Sequence, residues 1–283
     1  MPPRTNPTAR QVRLGAELRK LRECAGVAAG EAARVVGVDQ GKMSLYESGR
    51  TAVSEERLRR LASHYGVPDA ALVDALVAMA TERRRGWWEK YRSVIAQPLL
   101  DLAEMEHHAV RLRSLQVVHM PGLLQTEAYA RAVYSNNSHE LLPQELDAIV
   151  DFRMKRRQIL DREAPPRLDV LVHEAALRIK VGDSRVLREQ IAFILETSER
   201  PGVSVRVIPF AADGFGGASY AMLYAEAAVR QLDTVQFDAV HHSVFVGEED
   251  RLVDYRRVLT AVEGLALTPA ASRDLMRCIA REA

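Results

Sequence analysis

Residues 30–50, GEAARVVGVDQGKMSLYESGR, have the pattern of two short helices bent around a glycine. Ala33 is small where two such helices must approach each other, and Gly37 stands where a left-handed backbone conformation is cheap only for glycine. Asp39 is a suitable N-cap for the second helix, because its carboxylate can accept from the free amides of the first turn. The segment therefore predicts a helix-turn-helix motif.

The spacing of apolar residues in this motif predicts which side chains face its core. The inward positions are expected to be Ala32, Val36, Val38, Met43 and Tyr46. The outward positions on the second helix are expected to be Gln40, Gly41, Ser44, Leu45 and Ser48. In a DNA-reading protein this outward face would lie in the major groove. The alternative is a helix that keeps the shape of a reader with little DNA affinity.

Further helices flank the motif and would complete a compact five-helix domain. Leu14, Leu18 and Leu21 follow i, i+4, i+7 spacing, which is typical of one face of an amphipathic helix. Ser54 is a suitable N-cap for another helix. The five expected helices span residues 11–24, 29–36, 40–47, 54–65 and 69–84. We therefore predict a first domain over residues 1–84.

Charge is divided unevenly along the chain, although the net charge of the 283 residues is only +1. Residues 1–66 contain twelve Lys or Arg against seven Asp or Glu. A basic segment of this kind favours a polyanionic partner, while a solvated helical surface is the alternative. The length fits two domains of roughly 150 residues each.

The remainder, residues 85–283, predicts a second domain of mixed type. Helices are expected at residues 99–115, 123–133, 143–160, 184–197, 251–262 and 269–283. Between them lie five β-rich runs: RLDVLVHEAAL, VSVRVIPF, SYAMLYAE, TVQFDAV and HSVFVGE. The fold class predicted for the whole chain is mainly α, with an α+β second domain that contains a small mixed sheet.

Several stretches resemble known regulators. Within residues 14–68, LRKLRECAGV, GVDQGKMSLYESGR and LRRLASHYGVP resemble the Xre-type helix-turn-helix domain of the lambda-repressor class. RGWWEKY, PGLLQTEAYARAV, FRMKRRQIL, HEAALR and SVRVIPF are similar to one family of actinobacterial regulators. The resemblance implies a DNA-binding domain joined to a C-terminal domain that binds an effector or a partner.

The chain departs from this resemblance at positions expected to touch DNA. Such domains usually begin the second helix with a Thr or Ser cap and a Gln that contacts the DNA backbone, whereas this chain has Ala28 and Ala29. Gln40 can still pair with adenine, and Leu45 can pack on a thymine methyl. Basic side chains remain as phosphate contacts. The predicted DNA-binding residues are Arg13, Gln40, Gly41, Lys42, Ser44, Leu45 and Arg50.

No motif in the second domain indicates a metal, a cofactor or a catalytic residue. Glu104 and His107 have the spacing of two ligands on one helix face, but no second copy follows. The glycine-rich stretch at residues 214–217 lacks the Lys of a phosphate-binding loop. The basic side chains Arg153, Lys155, Arg156 and Arg157 are interpreted as a solvated helix face. Cys24 and Cys278 are expected to be buried or inert.

Histidines of the second domain depart from the family pattern at residues 119, 173, 241 and 242. Drifted surface or core histidines are one explanation, and side chains that line a ligand cavity are the other. The connection at residues 210–220 is rich in Gly and Ala, which pack poorly, and we place the cavity there. The predicted ligand-binding residues are Gln116, His119, Tyr220, Tyr224 and His241.

The sequence thus favours a sequence-specific, homodimeric transcriptional regulator of double-stranded DNA, controlled by a small-molecule effector or a small partner protein. One recognition helix covers only a half-site, which is why a dimer is expected. One alternative is a regulator-like protein repurposed in a biosynthetic pathway, where it binds a small molecule and catalyses a cofactor-independent step. Another is a protein-interaction module. A cytoplasmic location is expected, since neither a signal peptide nor a membrane span is visible.

Overall fold

The computed structural model describes residues 4–82, 86–136, 141–215, 220–238 and 243–283. These residues form two compact units. The first comprises Met1–Glu89 and Ala228–Leu232, and the second comprises Lys90–Ala227 and Asp233–Ala283. Each unit has its own secondary structure and core.

Five helices make up the N-terminal unit. They are α1 (Ala9–Cys24), α2 (Ala29–Val35), α3 (Gln40–Glu47), α4 (Glu55–His64) and α5 (Ala70–Thr81). Local chemistry sets where they begin, because the side chains of Thr8, Asp39, Ser54 and Asp69 each accept a hydrogen bond from a first-turn amide. Gly37 ends the turn before α3 with φ of 67°. The predicted five-helix organisation is confirmed.

The core of this unit contains most of the residues expected to face inward. Ala32, Val36, Met43 and Tyr46 are at most 3% exposed, whereas Val38 is half-buried. Leu18, Leu58, Leu61 and Leu76 from the other helices join them. Helix α3 therefore has one buried face and one exposed face.

Two glycines let α1 approach the end of α3 closely. A Cβ at Gly15 would lie 2.5 Å from the carbonyl oxygen of Glu47, and a Cβ at Gly49 would lie 2.4 Å from that of Gln11. Gly49 also has φ of 73°, a conformation that side chains rarely adopt. The position of α3 thus depends on backbone contacts that only glycine permits.

The C-terminal unit combines seven helices and six strands among the described residues. The helices are α6 (Gln97–His108), α7 (Glu127–Ser135), α8 (Pro143–Arg157), α9 (Glu174–Arg178), α10 (Ser184–Thr197), α11 (Glu249–Leu265) and α12 (Pro269–Glu282). The strands are β1 (Arg111–Gln116), β2 (Arg167–His173), β3 (Val203–Ile208), β4 (Met222–Glu226), β5 (Thr234–Asp238) and β6 (Ser243–Val246). The predicted fold class, mainly α with an α+β second domain, is confirmed.

Two predictions of secondary structure were wrong. The run RLDVLVHEAAL, expected to be β-rich, is strand only to His173, and helix α9 then covers Glu174–Arg178. The helix expected over residues 99–115 ends at His108, and β1 follows it. Leu112 and Ser114 of β1 are buried while Arg111 and Arg113 are partly exposed, so these four residues alternate with the period of a strand. Parallel pairing with β2 and antiparallel pairing with β4 complete the hydrogen bonding of this strand.

The sheet has the strand order β3-β2-β1-β4-β5-β6. Strands β1, β2 and β3 are parallel, and β4, β5 and β6 add antiparallel neighbours. A buried apolar cluster covers each face. One cluster joins Leu112, Val170, Val172, Val205 and Val207 to helices α10 and α12, and the other joins Leu115, Leu171, Tyr224 and Val235 to helix α11.

We expect Gly49→Ala to destabilise the protein more than Gly66→Ala, by roughly 1–3 kcal/mol, because its Cβ would also displace the α1 backbone. Gly66 is the matched control, since it has φ of 65° with open space around the Cβ position. Urea denaturation of the full chain measures both variants. Equal losses would show that backbone conformation alone, and not close packing of α1, sets the cost.

Candidate functional site

The outward face of α3 is exposed to solvent. Gln40, Gly41, Lys42 and Ser44 are exposed, and Leu45 is half-buried beside them. Arg50, which follows the helix, is also exposed. Neither Lys42 nor Arg50 forms an ion pair with another described residue, so both charges are available to a partner. Six of the seven predicted DNA-binding residues therefore lie on or next to this one helix.

Interactions at both ends fix this helix. At its start, Asp39 Oδ1 accepts from the amide of Lys42 at 2.7 Å. At its end, the guanidinium of Arg22 in α1 donates to both carboxylate oxygens of Glu47, at 2.6 and 3.0 Å. This second contact is bidentate and largely buried, with side chains 11% and 9% exposed. The exposed face of α3 is thus held on a rigid support.

The start of α2 has no such support. Ala28 occupies the N-cap position and its side chain cannot accept a hydrogen bond, so the cap that the sequence was seen to lack is also absent from α2. A Cβ at Gly30 would lie 3.7 Å from Oε1 of Gln40, so the side chain of Gln40 extends beside the first turn of α2.

Arg13 differs from the other predicted DNA-binding residues. Its side chain is 13% exposed, and its Nη1 pairs with Glu17 at 2.6 Å. Its Nη2 donates to the carbonyl oxygen of Gln231 at 2.5 Å. A guanidinium engaged in this way is a poor candidate for a phosphate contact, because DNA would have to displace a buried carboxylate.

The C-terminal unit contains a cavity of about 230 Å³ on one face of its sheet. Its floor is formed by Ser114 and Gln116 of β1, Leu223 of β4, and Gln236 and Asp238 of β5. Ser114 pairs with Leu223 across β1 and β4, and Leu223 pairs with Gln236 across β4 and β5. These three residues therefore lie side by side on three adjacent strands. The floor is accordingly polar at both sides and apolar in the middle.

The walls are formed by helices α6 and α8 and by residues 121–126, which we call the PGLLQT segment. Apolar side chains from these elements and their neighbours line much of the surface: Leu99, Leu102, Met120, Leu123, Val133 and Leu168. The charged side chains that line the walls are Glu106, Arg153 and Arg156. Gly122, His119 and Gln125 complete the rim. Nine of the eighteen lining residues are polar or charged, so the cavity offers a small molecule both apolar contacts and hydrogen-bonding groups.

Arg156 and Glu106 form a buried ion pair in the cavity wall. Arg156 Nε donates to Glu106 Oε2 at 2.9 Å and its Nη2 donates to Oε1 at 2.6 Å. Both side chains are at most 4% exposed. Because the pair joins α6 to α8 with good bidentate geometry, it fixes the spacing of the two walls.

Arg153 lies one helical turn before Arg156 and has only neutral partners among the described residues. Its Nη1 donates to Oε1 of Gln125 at 2.9 Å, and its Nη2 donates to the hydroxyl of Tyr134. Its Nε is buried without a hydrogen-bond partner among the described residues. Burial lowers the pKa of this guanidinium, while Tyr134 and Glu106 act in the opposite direction.

The PGLLQT segment is held in place by buried side-chain amides. Gln125 Nε2 donates to the carbonyl oxygen of Met120 at 2.8 Å. Gln190 of α10 donates to the carbonyl oxygen of Leu124 at 2.6 Å and accepts from the amide of Thr126 at 2.7 Å. These bonds satisfy backbone groups next to the short 3-10 helix Gly122–Leu124, and they hold the rim in place.

Two predicted ligand-binding residues line this cavity, Gln116 and His119. Gln116 Nε2 donates to Oγ of Ser114 at 3.2 Å. Burial, and to a lesser extent the charge of Arg153, lower the pKa of His119. A neutral imidazole at pH 7 can donate or accept one hydrogen bond, so His119 adds polarity to the rim without adding charge.

The other predicted residues do not line it. Tyr220 is 73% exposed. Tyr224 is fully buried on the opposite side of the sheet, where its hydroxyl donates to Asp233 at 2.8 Å and accepts from Arg256 at 2.7 Å. His241 lies outside the described residues. The prediction placed the cavity at residues 210–220, whereas this cavity lies between β1, α6 and α8.

Sequence reasoning missed the charged residues of the cavity. Arg153 and Arg156 were interpreted as a solvated face, but Arg156 is 5% exposed and Arg153 is half-buried. Their spacing of three residues places them on one side of α8, near the buried Val150 and Phe152. The signal that could have found them is this mixture of arginines with apolar residues on one helix.

Other features of the described residues limit the chemistry. Cys24 and Cys278 were expected to be buried or inert; they are exposed, so they are not buried. Searching the described ranges finds no group of three or more His, Cys, Asp or Glu side chains that could hold a metal. None of the helices in those ranges is both long and apolar enough to span a membrane.

Comparison with known families agrees with the two units. Residues 13–76 match the model of a helix-turn-helix domain, and residues 99–278 match the model of a domain of unknown function, DUF5753. The chain belongs to the DUF5753 family. No curated protein and no solved structure matches it. Every residue that lines the cavity lies within the DUF5753 match, while the assignments to the Xre class and to actinobacteria stay predictions.

We expect Glu106→Gln to destabilise the DUF5753 domain by about 3–5 kcal/mol, because it leaves the buried Arg156 without its counter-charge beside Arg153. Chemical denaturation of the full chain measures the loss. The control is Asp147→Asn at the exposed pair of Arg131 and Asp147, which should change stability little. Similar losses in the two variants would contradict a special role for the buried pair.

Proposed function

We propose that this protein is a sequence-specific transcriptional regulator that binds DNA as a homodimer and is controlled by a small ligand in the DUF5753 cavity. The observation that carries the proposal is the largely exposed outward face of α3 in a helix-turn-helix domain, where Gln40, Lys42 and Ser44 are exposed and Lys42 has no ion pair among the described residues. A helix of this kind enters the major groove with its N-terminal residues toward the bases.

Each exposed residue has a proposed role. Gln40 reads adenine through its amide, Ser44 donates to a base edge or a phosphate, and Leu45 contacts a thymine methyl. Gly41 has no side chain and lets the helix backbone approach the bases. Lys42 and Arg50 neutralise phosphates and set the register of the protein on the duplex. Arg13 has no DNA contact in this proposal, because Glu17 already holds its charge.

Dimerisation follows from the small size of this reading surface. One short helix that offers two or three base contacts recognises a half-site only, and pairing two half-sites a helical turn apart multiplies the specificity. A partner copy related by two-fold symmetry would therefore bind a palindromic operator.

Ligand control rests on the cavity. It combines leucine side chains with polar groups, a hydrogen-bonded rim and an arginine that has no carboxylate partner among the described residues, and these favour a small molecule over a docked protein. A ligand regulates DNA binding if it binds the DNA-competent form of the dimer with a different affinity from the other form.

One alternative has support of its own. Ala28 leaves α2 without a cap, Gly41 offers no side chain, and Leu45 is half-buried, so the reading surface is modest. The C-terminal unit of the same chain contains a formed cavity. This supports the alternative that the protein is repurposed to bind a small molecule in a biosynthetic pathway. The DNA-binding measurements below separate the two functions.

We expect Gln40→Ala to weaken binding to a selected operator by about 1–3 kcal/mol and to leave binding to random duplexes nearly unchanged. The operator is first selected from a pool of random duplexes with the full-length protein, and fluorescence anisotropy then gives both affinities. If both duplexes lose affinity equally, Gln40 does not read bases.

We expect DNA affinity to fall steeply with salt, and the variants Lys42→Ala and Arg50→Ala each to reduce the slope of log K against log salt by about one. Arg60→Ala is the control, because Arg60 is paired with Glu56 on α4 and should leave the slope unchanged. Titrations of the operator at several salt concentrations supply the slopes. A salt-independent complex, or no complex at low salt, would favour the repurposed protein.

A further inference from the structure

We propose that the DUF5753 cavity binds a small monocarboxylic acid with an apolar body, and that Arg153 receives its carboxylate. The inference rests on the proposed ligand control and names the class of ligand. It follows from charge, space and size in the cavity.

Charge is the first step. The wall contains two guanidinium groups, and Glu106 satisfies that of Arg156 through both oxygens. Arg153 has the amide oxygen of Gln125 and the hydroxyl of Tyr134 as partners, and its Nε has none among the described residues. A partly buried cation with neutral partners is costly unless an anion compensates it. A ligand carboxylate supplies that anion and fits the planar fork of an arginine.

Asp238 does not fill this role. It lies on the floor of the cavity, is exposed, and accepts from Nε2 of Gln236 at 2.7 Å and from Oγ of Ser243 at 2.6 Å. The carboxylate of Asp238 therefore has neutral hydrogen-bond donors, and Arg153 is not among its partners. Its negative charge also disfavours a second acidic group on the ligand near β5, which is why a monocarboxylate is expected.

Space beside Arg153 comes from Gly122 of the PGLLQT segment. A Cβ at this position would lie 2.9 Å from Nη1 of Arg153 and 3.6 Å from Nη2 of Arg156. A side chain here would press on Nη1 of Arg153 and would be in ordinary contact with Arg156. Glycine leaves this space beside Arg153 open, and the hydrogen bonds of Gln125 and Gln190 keep the segment in place.

Size and lining define the rest of the ligand. A cavity of 150 Å³ holds benzene, so one of about 230 Å³ accepts roughly ten non-hydrogen atoms. The leucines at residues 99, 102, 123 and 223 require an apolar body opposite them. An inorganic anion would leave these side chains unmatched, whereas an aromatic or branched short-chain acid fills the space.

Calorimetry with the full-length protein tests the proposal with benzoate as the probe. Benzamide has the same shape without the charge, and benzylamine carries the opposite charge. We expect saturable benzoate binding that is at least about tenfold tighter than that of either control. The proposal fails if benzoate shows no saturable binding at millimolar concentration, or if benzamide or benzylamine binds as tightly.

Variants on one helix assign the anion to Arg153. Arg153→Gln should weaken benzoate binding by about tenfold or more, and Arg153→Lys, which keeps the charge but loses the fork, by less. Arg157→Gln is the matched control, since Arg157 lies over the ring of Phe193, 4.2 Å from its centre, and does not line the cavity. Equal losses in Arg153→Gln and Arg157→Gln would overturn the assignment.

Operator binding is measured on the same samples. If the operator binds and benzoate does not, the ligand class is wrong while the regulator function stands. If benzoate binds as expected and no operator can be selected, the cavity assignment stands and the regulator function fails.

Discussion

Buried, bidentate pairs between arginine and glutamate hold the two surfaces on which function is proposed. In the N-terminal unit Arg22 joins α1 to the end of α3 through Glu47, and in the C-terminal unit Arg156 joins α8 to α6 through Glu106. Removing two charges from water costs free energy, and a buried ion pair recovers it only when the two groups are well aligned. Such pairs therefore add little net stability. They fix the geometry of the elements they join, because both carboxylate oxygens must be engaged. The exposed face of α3 and the walls of the cavity both depend on this constraint.

The same reasoning separates structural arginines from those available to a ligand. Arg13 has a buried carboxylate partner in Glu17, whereas Arg50 is exposed and unpaired among the described residues. Arg153 is intermediate, because it is partly buried and yet has only neutral hydrogen-bond partners among the described residues. A count of basic residues treats all three alike. Their surroundings decide which charge is free to meet a phosphate or a carboxylate.

The features that the sequence predicted correctly are those set by residues close together in the chain. The turn at Gly37 and the caps at Asp39 and Ser54 involve residues three or four positions apart, and the sequence predicted all of them. The strand at β1 depends on pairing with β2, whose partner residues are 56 positions away, and with β4, whose partners are 107 to 115 positions away, and it was predicted as helix. Predicting the cavity would likewise require contacts between residues far apart in the chain, since its lining runs from Leu99 to Asp238. Gln116 and His119 were predicted to line one, while Arg153 acquires its role only through contact with Gln125 and Gly122.

The rigid rim bears on how strongly a small ligand can bind. Affinity is lost when a site must order its side chains on binding, and a ligand of about ten atoms makes too few contacts to offset much ordering. Here Gln125 and Gln190 already fix the loop, Glu106 fixes the neighbouring guanidinium, and the folded protein has already desolvated part of Arg153. A carboxylate that enters the cavity therefore relieves an existing electrostatic cost without requiring rearrangement. That combination allows selection by charge in a cavity whose size alone would distinguish few small molecules.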